Sequence, residues 1–240
     1  MTRLIFQTDS YCKAFDAPVT AIDQEKHAIQ LAETCFYPGG GGQPFDKGSL
    51  STNGEDLGFT RARTLQGKHW HLLDPQKSLP QVGQMVHGQI DWEYRHQLMR
   101  THTAMHILCG VIFRDYGAHV TGGDMKALSA RMDFEFESMT KELVSIIEEA
   151  VNIEVQKAHP IRVQILPREE AFQIPDLIRT KINLLPEHIT QIRTVEIVGL
   201  DLQADGGTHV ANTSEVGTIR ISDYKSKGKI NKRIYVSIED

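Results

Sequence analysis

Cysteine is scarce in this chain, long apolar runs are missing, and neither charge sign is in strong excess. The three cysteines, Cys12, Cys35 and Cys109, are odd in number, widely spaced and form no CxxC pair. No disulfide framework is therefore expected. No apolar stretch approaches the roughly 20 residues needed to cross a bilayer. The opening MTRLIFQTDSYCKAF lacks the apolar core and small-residue cleavage site of a secretory signal. These absences predict a soluble, cytoplasmic protein with no membrane partner. The net charge of −5 speaks against a general nucleic-acid binder, and no DNA partner is expected. A local basic patch stays open, because the field depends on how charge is distributed. There is no internal repeat, no low-complexity tract and no GxSxG word, so covalent serine catalysis has no support.

What is present is an ordinary globular balance over 240 residues, with 40% hydrophobic and 24% charged residues, enough for one large domain or two small ones. Residues 1–91 read as short strands separated by Gly, Pro, Asn and Asp: Leu4–Gln7, Val19–Asp23, Ala28–Phe36, Phe59–Thr64, Lys68–Leu73 and Met85–Asp91. The expected architecture for this part is a small β-barrel. Near Trp92 the pattern changes. Leu98, Met99, Met105, Ile107, Leu108, Val111 and Ile112 make a helical apolar face from Glu93 to Arg114, and Gly117 is placed to end it. A second helix is expected from Thr140 to Lys157, with Leu143, Ile146, Ile147, Ala150, Val151 and Ile153 inward and Pro160 blocking its continuation. A short helix could start at Pro167. Ala130–Phe136, Ile161–Ile165, Ile192–Val198, Gly217–Ser222 and Arg233–Ile238 read as strands. Residues 92–240 thus predict an α+β domain with helices packed on a largely antiparallel sheet, and the whole chain is α+β.

His102 and His106 lie four apart on the long predicted helix, one turn from each other on one face, where two imidazoles can share a metal. The plain alternative is a pair of polar residues on a partly exposed face. Asp205 and His209 are also four apart, in DGGTHVANTSEVG. The two glycines between them predict a tight loop that uses positive φ. Three histidines and a carboxylate suit Zn²⁺ in tetrahedral geometry. In a second arrangement the three histidines and a water hold the metal, and Asp205 accepts a hydrogen bond from a ligand or the water.

Two further stretches stand out. Gly39, Gly40, Gly41 and Gly42 precede Gln43 and Pro44. Such a run lets backbone approach a ligand closely, with Gln43 and Asp46 as contacts, or is simply a flexible hairpin turn. Lys225, Lys227, Lys229, Lys232 and Arg233 form the one dense basic patch, at an expected hairpin tip that could meet phosphates or be an ordinary solvated turn. His69 and His71 alternate on a strand as a candidate surface pair, and His27, His87, His96, His119, His159 and His188 have no partner at ligand spacing. Cys109, three residues past His106, is expected to point into the core.

The words THTAMHIL and GGTHVANTSEVG together resemble the editing domain shared by alanyl- and threonyl-tRNA synthetases, and most of all its freestanding relatives, the AlaX proteins. FYPGGGGQPFDKG resembles the glycine-rich motif of the longer AlaX forms, while DWEYRHQLMRTHTAMHIL and KSKGKINKRI also fit. The likeness spans nearly the whole chain at medium AlaX length. It implies a β-barrel before an editing domain, and a zinc ion held by HxxxH and CxxxH. The family cysteine falls on Asp205, a harder donor than a thiolate, so the swap bears on metal affinity and identity. The implied ligands are His102, His106, His209 and Asp205. The implied substrate is tRNA(Ala) mischarged with serine or glycine, and the reaction is hydrolysis of its aminoacyl ester.

The resemblance places Gly40, Gly41, Gly42, Gln43, Asp46 and Thr208 at the substrate, and the five basic residues of the hairpin on the tRNA. The metal could activate a water, or hold the substrate's amine or terminal ribose. Two other readings are kept: a metal-dependent hydrolase of another small acyl ester, and a tRNA-binding paralogue without catalysis.

Overall fold

Strand phase and glycine-bounded turns organise the first part of the chain. The structure, a computed structural model, describes residues 2–180 and 189–240; His188 lies outside the described residues. Two units separate, Met1–His96 and Gln97–Asp240.

In the first unit the strands are β1 (Arg3–Leu4), β2 (Ala14–Asp23), β3 (Ala28–Leu31), β4 (Glu33–Thr34), β5 (Gly48–Thr52), β6 (Glu55–Asp56), β7 (Phe59–Leu65), β8 (Lys68–Leu73) and β9 (Met85–Ile90). Among the described residues the order β6-β5-β9-β2-β3-β8-β7 makes an open seven-stranded sheet, with β1 and β4 as a small parallel pair. The terminal strands β6 and β7 do not pair, so the hydrogen-bond ring of the expected barrel does not close. Ile5–Gln7, expected as strand, turns into a short 3-10 helix. Alternate side chains of β2 (Phe15, Ala17, Val19) point into a core with Ile29, Leu31, Phe36, Leu50, Leu73 and Val86. Cys12 and Cys35 are joined in a disulfide with Cα atoms 6.0 Å apart, which corrects the expectation of none. Cysteines 23 apart in sequence meet because the fold brings their segments together, and spacing alone carries no sign of that.

His69 and His71 are buried, not a surface pair. They share the inward phase of β8 with Leu73. The His71 ring contacts the Thr34 hydroxyl at 2.9 Å, and His69 Nε2 contacts the Phe36 carbonyl at 3.3 Å. Burial lowers the pKa of His69 to about 4 and that of His71 to about 3, so both rings are neutral at pH 7.

The remaining elements are α1 (Trp92–Tyr116), β10 (Val120–Lys126), β11 (Ser129–Glu135), α2 (Lys141–Gln156), β12 (Ile161–Pro167), α3 (Arg168–Ala171), β13 (Gln191–Ile197), β14 (Asp201–Ala204), β15 (Thr218–Gly228) and β16 (Asn231–Glu239). They form two antiparallel sheets, β10-β11-β16-β15 and β12-β13-β14. Helix α1 ends where Gly117 takes φ +64 and its N–H bonds back to Phe113. The Thr140 side chain caps α2 by accepting from Leu143 N–H. Val144, Ile147, Val151 and Val155 face inward on α2, whereas Ile146 and Ile153 are exposed. The helix carries two adjacent apolar stripes, and the sequence period fits either. Packing on β15 selects one of them: Asn152 bonds both backbone groups of Ile219, and Glu148 accepts from Ile221 N–H. These side chains cover the edge strand of the sheet at Ile219 and Ile221. No helix among the described residues is long and apolar enough to cross a membrane.

Candidate metal centre

Helix α1 is buried on all sides from Thr101 to Ile112, which makes it a core helix rather than an amphipathic one. His102 and His106 are therefore buried, 5% and 7% exposed, and not polar residues of a wet face. Two imidazoles withdrawn from water need polar partners. Those partners come from the chain 95 to 107 residues later, along β14 and the loop after it.

That loop begins at Asp205. Its Oδ2 accepts from Gly207 N–H at 2.8 Å and lies 3.0 Å from His209 Nε2, while Oδ1 lies 3.6 Å from His102 Nε2. One donor atom each from His102, His106, Asp205 and His209 falls within 4.8 Å of every other. The loop is tight as expected, but Gly206 and Gly207 are not among the residues with positive φ. Its curvature comes from the Asp205–Gly207 side-chain turn instead. In a tetrahedral zinc site with bonds near 2.0–2.1 Å, neighbouring donors sit about 3.3 Å apart. The two Asp205 oxygens come close to that spacing, each from a different histidine, the four donors gather within 4.8 Å, and nitrogen and carboxylate donors suit the ion, so the residues fit a divalent metal.

The outer groups were not evident from spacing. His106 Nδ1 lies 3.2 Å from Asp201 Oδ2, and Gln203 Nε2 donates to the same oxygen at 2.6 Å. His209 Nδ1 is 3.1 Å from Thr103 Oγ1, which also accepts from Val210 N–H. Arg193 Nη1 donates to the Asp205 carbonyl at 3.0 Å and lies 3.6 Å from its carboxylate. The alternation of polar residues at 201, 203 and 205 was the available signal, a strand face turned toward the histidines. Thr208, expected at the substrate, is fully buried, and its backbone bonds to His102.

Burial lowers the His102 pKa to about 4, against the pull of Asp205. Burial and the neighbouring His102 push His209 well below its ordinary value. Burial would raise Asp205, yet His102, His209 and His106 hold it well below the usual carboxylate range. His106 alone moves up: burial works against this, and the Asp201 hydrogen bond with the Asp205 charge outweighs it. A neutral His102, a neutral His209 and an ionised Asp205 are the protonation states that metal binding requires. Cys109 is buried as expected, and burial pushes its thiol up, so it offers no thiolate.

The sequence matches the family profile described as "Threonyl and Alanyl tRNA synthetase second additional domain" over residues 192–235. It also matches "tRNA synthetases class II (A)" over residues 9–94. It is 39% identical over 241 residues to the Alanyl-tRNA editing protein AlaX-M of Saccharolobus solfataricus, covering 100% of both chains. It is 34% identical over 246 residues to the AlaX-M protein of Methanosarcina mazei, covering 100% of this chain and 98% of that one. The chain belongs to the AlaX-M family of alanyl-tRNA editing proteins. A longer relative, the Alanine--tRNA ligase of Ignicoccus hospitalis, is 37% identical over 226 residues, 92% of this chain and 24% of the ligase.

In this AlaX-M chain the glycine run forms a two-residue hairpin. Gly40 N–H donates to Gln43 O at 3.0 Å, and Gln43 N–H returns to Gly40 O at 2.9 Å. Gly39, Gly40, Gly41 and Gly42 all have positive φ, from +58 to +139, a conformation in which any other residue is strained. The tip at Gly40, Gly41 and Gly42 is exposed, whereas Gln43 and Asp46 are buried. The Asp46 carboxylate is turned inward to Arg95 and Tyr37 N–H. The hairpin is stapled at its base and is not a flexible turn.

The basic hairpin β15–β16 also divides. Lys232 is buried and donates to the carbonyls of Gly228 and Lys229. Arg233 grips Asp133 through two bonds of 2.6 and 2.8 Å. Lys225 pairs with Asp223 at 3.1 Å. Lys227 and Lys229 are left exposed at the tip. Five cations adjacent in sequence thus become two structural residues, one paired lysine and two at the tip.

Proposed function

We propose that this AlaX-M chain is a trans-editing hydrolase that deacylates mischarged tRNA(Ala), with serine or glycine as the misattached residue. The observation that carries this reading is the convergence of His102, His106, Asp205 and His209 within 4.8 Å in a chain similar along its full length to alanyl-tRNA editing proteins. His102, His106 and His209 would hold a zinc ion, with Asp205 as the fourth donor. Bound there, a divalent ion supplies Lewis acidity and positive charge beside the ester. The protein's own residues keep the pocket dry and hold His102 and His209 neutral, and Arg193, 3.6 Å from the Asp205 carboxylate, adds fixed positive charge to the site. Water adds to the carbonyl carbon, the bond to the ribose oxygen breaks, that oxygen takes the proton, and free amino acid and tRNA result.

The second unit is assigned the deacylation. The glycine tip of the first unit is assigned the aminoacyl end of the tRNA, since backbone without side chains admits close approach. Lys227 and Lys229 are assigned to the phosphate backbone. The deciding experiment is deacylation of Ser-tRNA(Ala), with Gly-tRNA(Ala) and correctly charged Ala-tRNA(Ala) alongside. Release of serine or glycine with alanine spared is expected. No release by folded, zinc-loaded protein would defeat the assignment and favour another acyl ester or a binding-only role.

A further inference from the structure

Asp201 stands behind the cluster without belonging to it. Its side chain is fully withdrawn from solvent, and both oxygens are engaged. Oδ1 accepts from Arg179 Nε at 3.3 Å. Oδ2 accepts from Gln203 Nε2 at 2.6 Å and meets His106 Nδ1 at 3.2 Å. Arg179 is itself fixed by lying on the Phe113 ring, 3.8 Å from its centroid, and Phe113 is on the same helix as His106.

Oδ2 already accepts from Gln203 Nε2, so it faces His106 Nδ1 as an acceptor, and the contact is made by a ring that carries its proton on Nδ1. The Nε2 lone pair is then free, and Nε2 is the atom such a ring can offer to a metal. Turning the ring over would set a C–H against the carboxylate and break the bond. A plain Asp201–Arg179 ion pair would need only Oδ1; the use of Oδ2 is what ties Asp201 to the histidine.

We propose that Asp201 is a positioning residue of the metal centre, fixing the tautomer and ring angle of His106, with Arg179 holding Asp201 in place. The proposal rests on reading the cluster as a metal site. Carboxylate partners of ligand histidines typically contribute about 10- to 100-fold in metal affinity.

The test compares the parent with Asp201→Asn. Zinc affinity is read by competition with a chromophoric chelator. The His106 tautomer is read by ring ¹⁵N NMR of the metal-free protein. The expected result is zinc binding weaker by about 10- to 100-fold and a His106 ring that is no longer purely Nδ1–H. Unchanged affinity with an unchanged tautomer would overturn the proposal and leave Asp201 as an ion-pair partner of Arg179 alone. Should Asp201→Asn not fold, the double variant Asp201→Asn/Arg179→Met leaves no unpaired buried charge and carries the same two readouts. A parent that takes up no zinc defeats the metal reading instead, and the tautomer of the metal-free ring still decides whether Asp201 sets His106.

Discussion

Arg95 and Asp46 form an ion pair from which solvent is wholly excluded. Arg95 Nε donates to Asp46 Oδ1 at 2.6 Å, and Tyr37 N–H donates to Oδ2. The same guanidinium reaches the carbonyls of Ser10 and Cys35. One arginine thus satisfies three segments at the base of the glycine hairpin. Replacing it by methionine leaves Asp46 buried without a counter-charge, which typically costs about 3–5 kcal/mol. The urea midpoint of Arg95→Met should fall accordingly. A loss too small to resolve would mean that the pair does not hold the hairpin.

Removal of metal should stop editing reversibly. Treatment with a strong chelator is expected to reduce Ser-tRNA(Ala) deacylation to background, and zinc to restore it. His106→Ala or His209→Ala should lose both bound zinc and turnover while keeping the fold. Full activity in either variant would exclude that histidine as a ligand.

Stability should fall in mild acid. His69 and His71 are neutral when folded, with pKa values lowered to about 4 and about 3 by burial, and each titrates near 6.5 when unfolded. Below pH 6.5 the unfolded chain takes up protons that the folded chain refuses. Their contribution is therefore complete above about 6.5 and is lost as pH falls toward 4. In metal-free protein His102 acts in the same direction, and His106, whose pKa is raised, opposes it. The unfolding free energy should decline by up to about 1.4 kcal/mol per pH unit for each depressed histidine. A flat profile between pH 6.5 and 4.5 would contradict the buried placement.

Charge reversal at the basic tip should weaken tRNA binding without harming the fold. For Lys227→Glu/Lys229→Glu the salt dependence of binding should become shallower, by up to about 0.7–0.9 in slope for each lost phosphate contact. Lys232→Ala should instead destabilise the hairpin, since its ammonium closes the turn. Undiminished affinity of the double variant at low salt would remove the tip from the tRNA interface.

The two apolar stripes of α2 can be told apart directly. Ile147→Ala should cost about 2–5 kcal/mol, whereas Ile153→Gln, on the exposed stripe, should change stability by less than about 0.5 kcal/mol. Equal losses at both positions would mean that Ile153 is covered after all.

The sequence by itself determined the class of this protein and most of its chemistry. The spacing of His102 and His106 on a helix, the Asp205–His209 pair in a loop and the glycine run are local patterns, and local patterns survive without knowledge of the fold. The strands around His69 and His71 and the long α1 were legible for the same reason. Contacts that span the chain were not. Which partners Asp46 and Lys232 bond within the chain, which stripe of α2 is buried, and that Cys12 meets Cys35 are decided by the packed structure and are not written in local spacing. The Asp201–His106 bond joins residues 95 apart, and no periodicity encodes such a pairing. It arises because burying a histidine or a carboxylate is costly unless a partner is delivered to it, and only the packed tertiary structure decides which partner arrives.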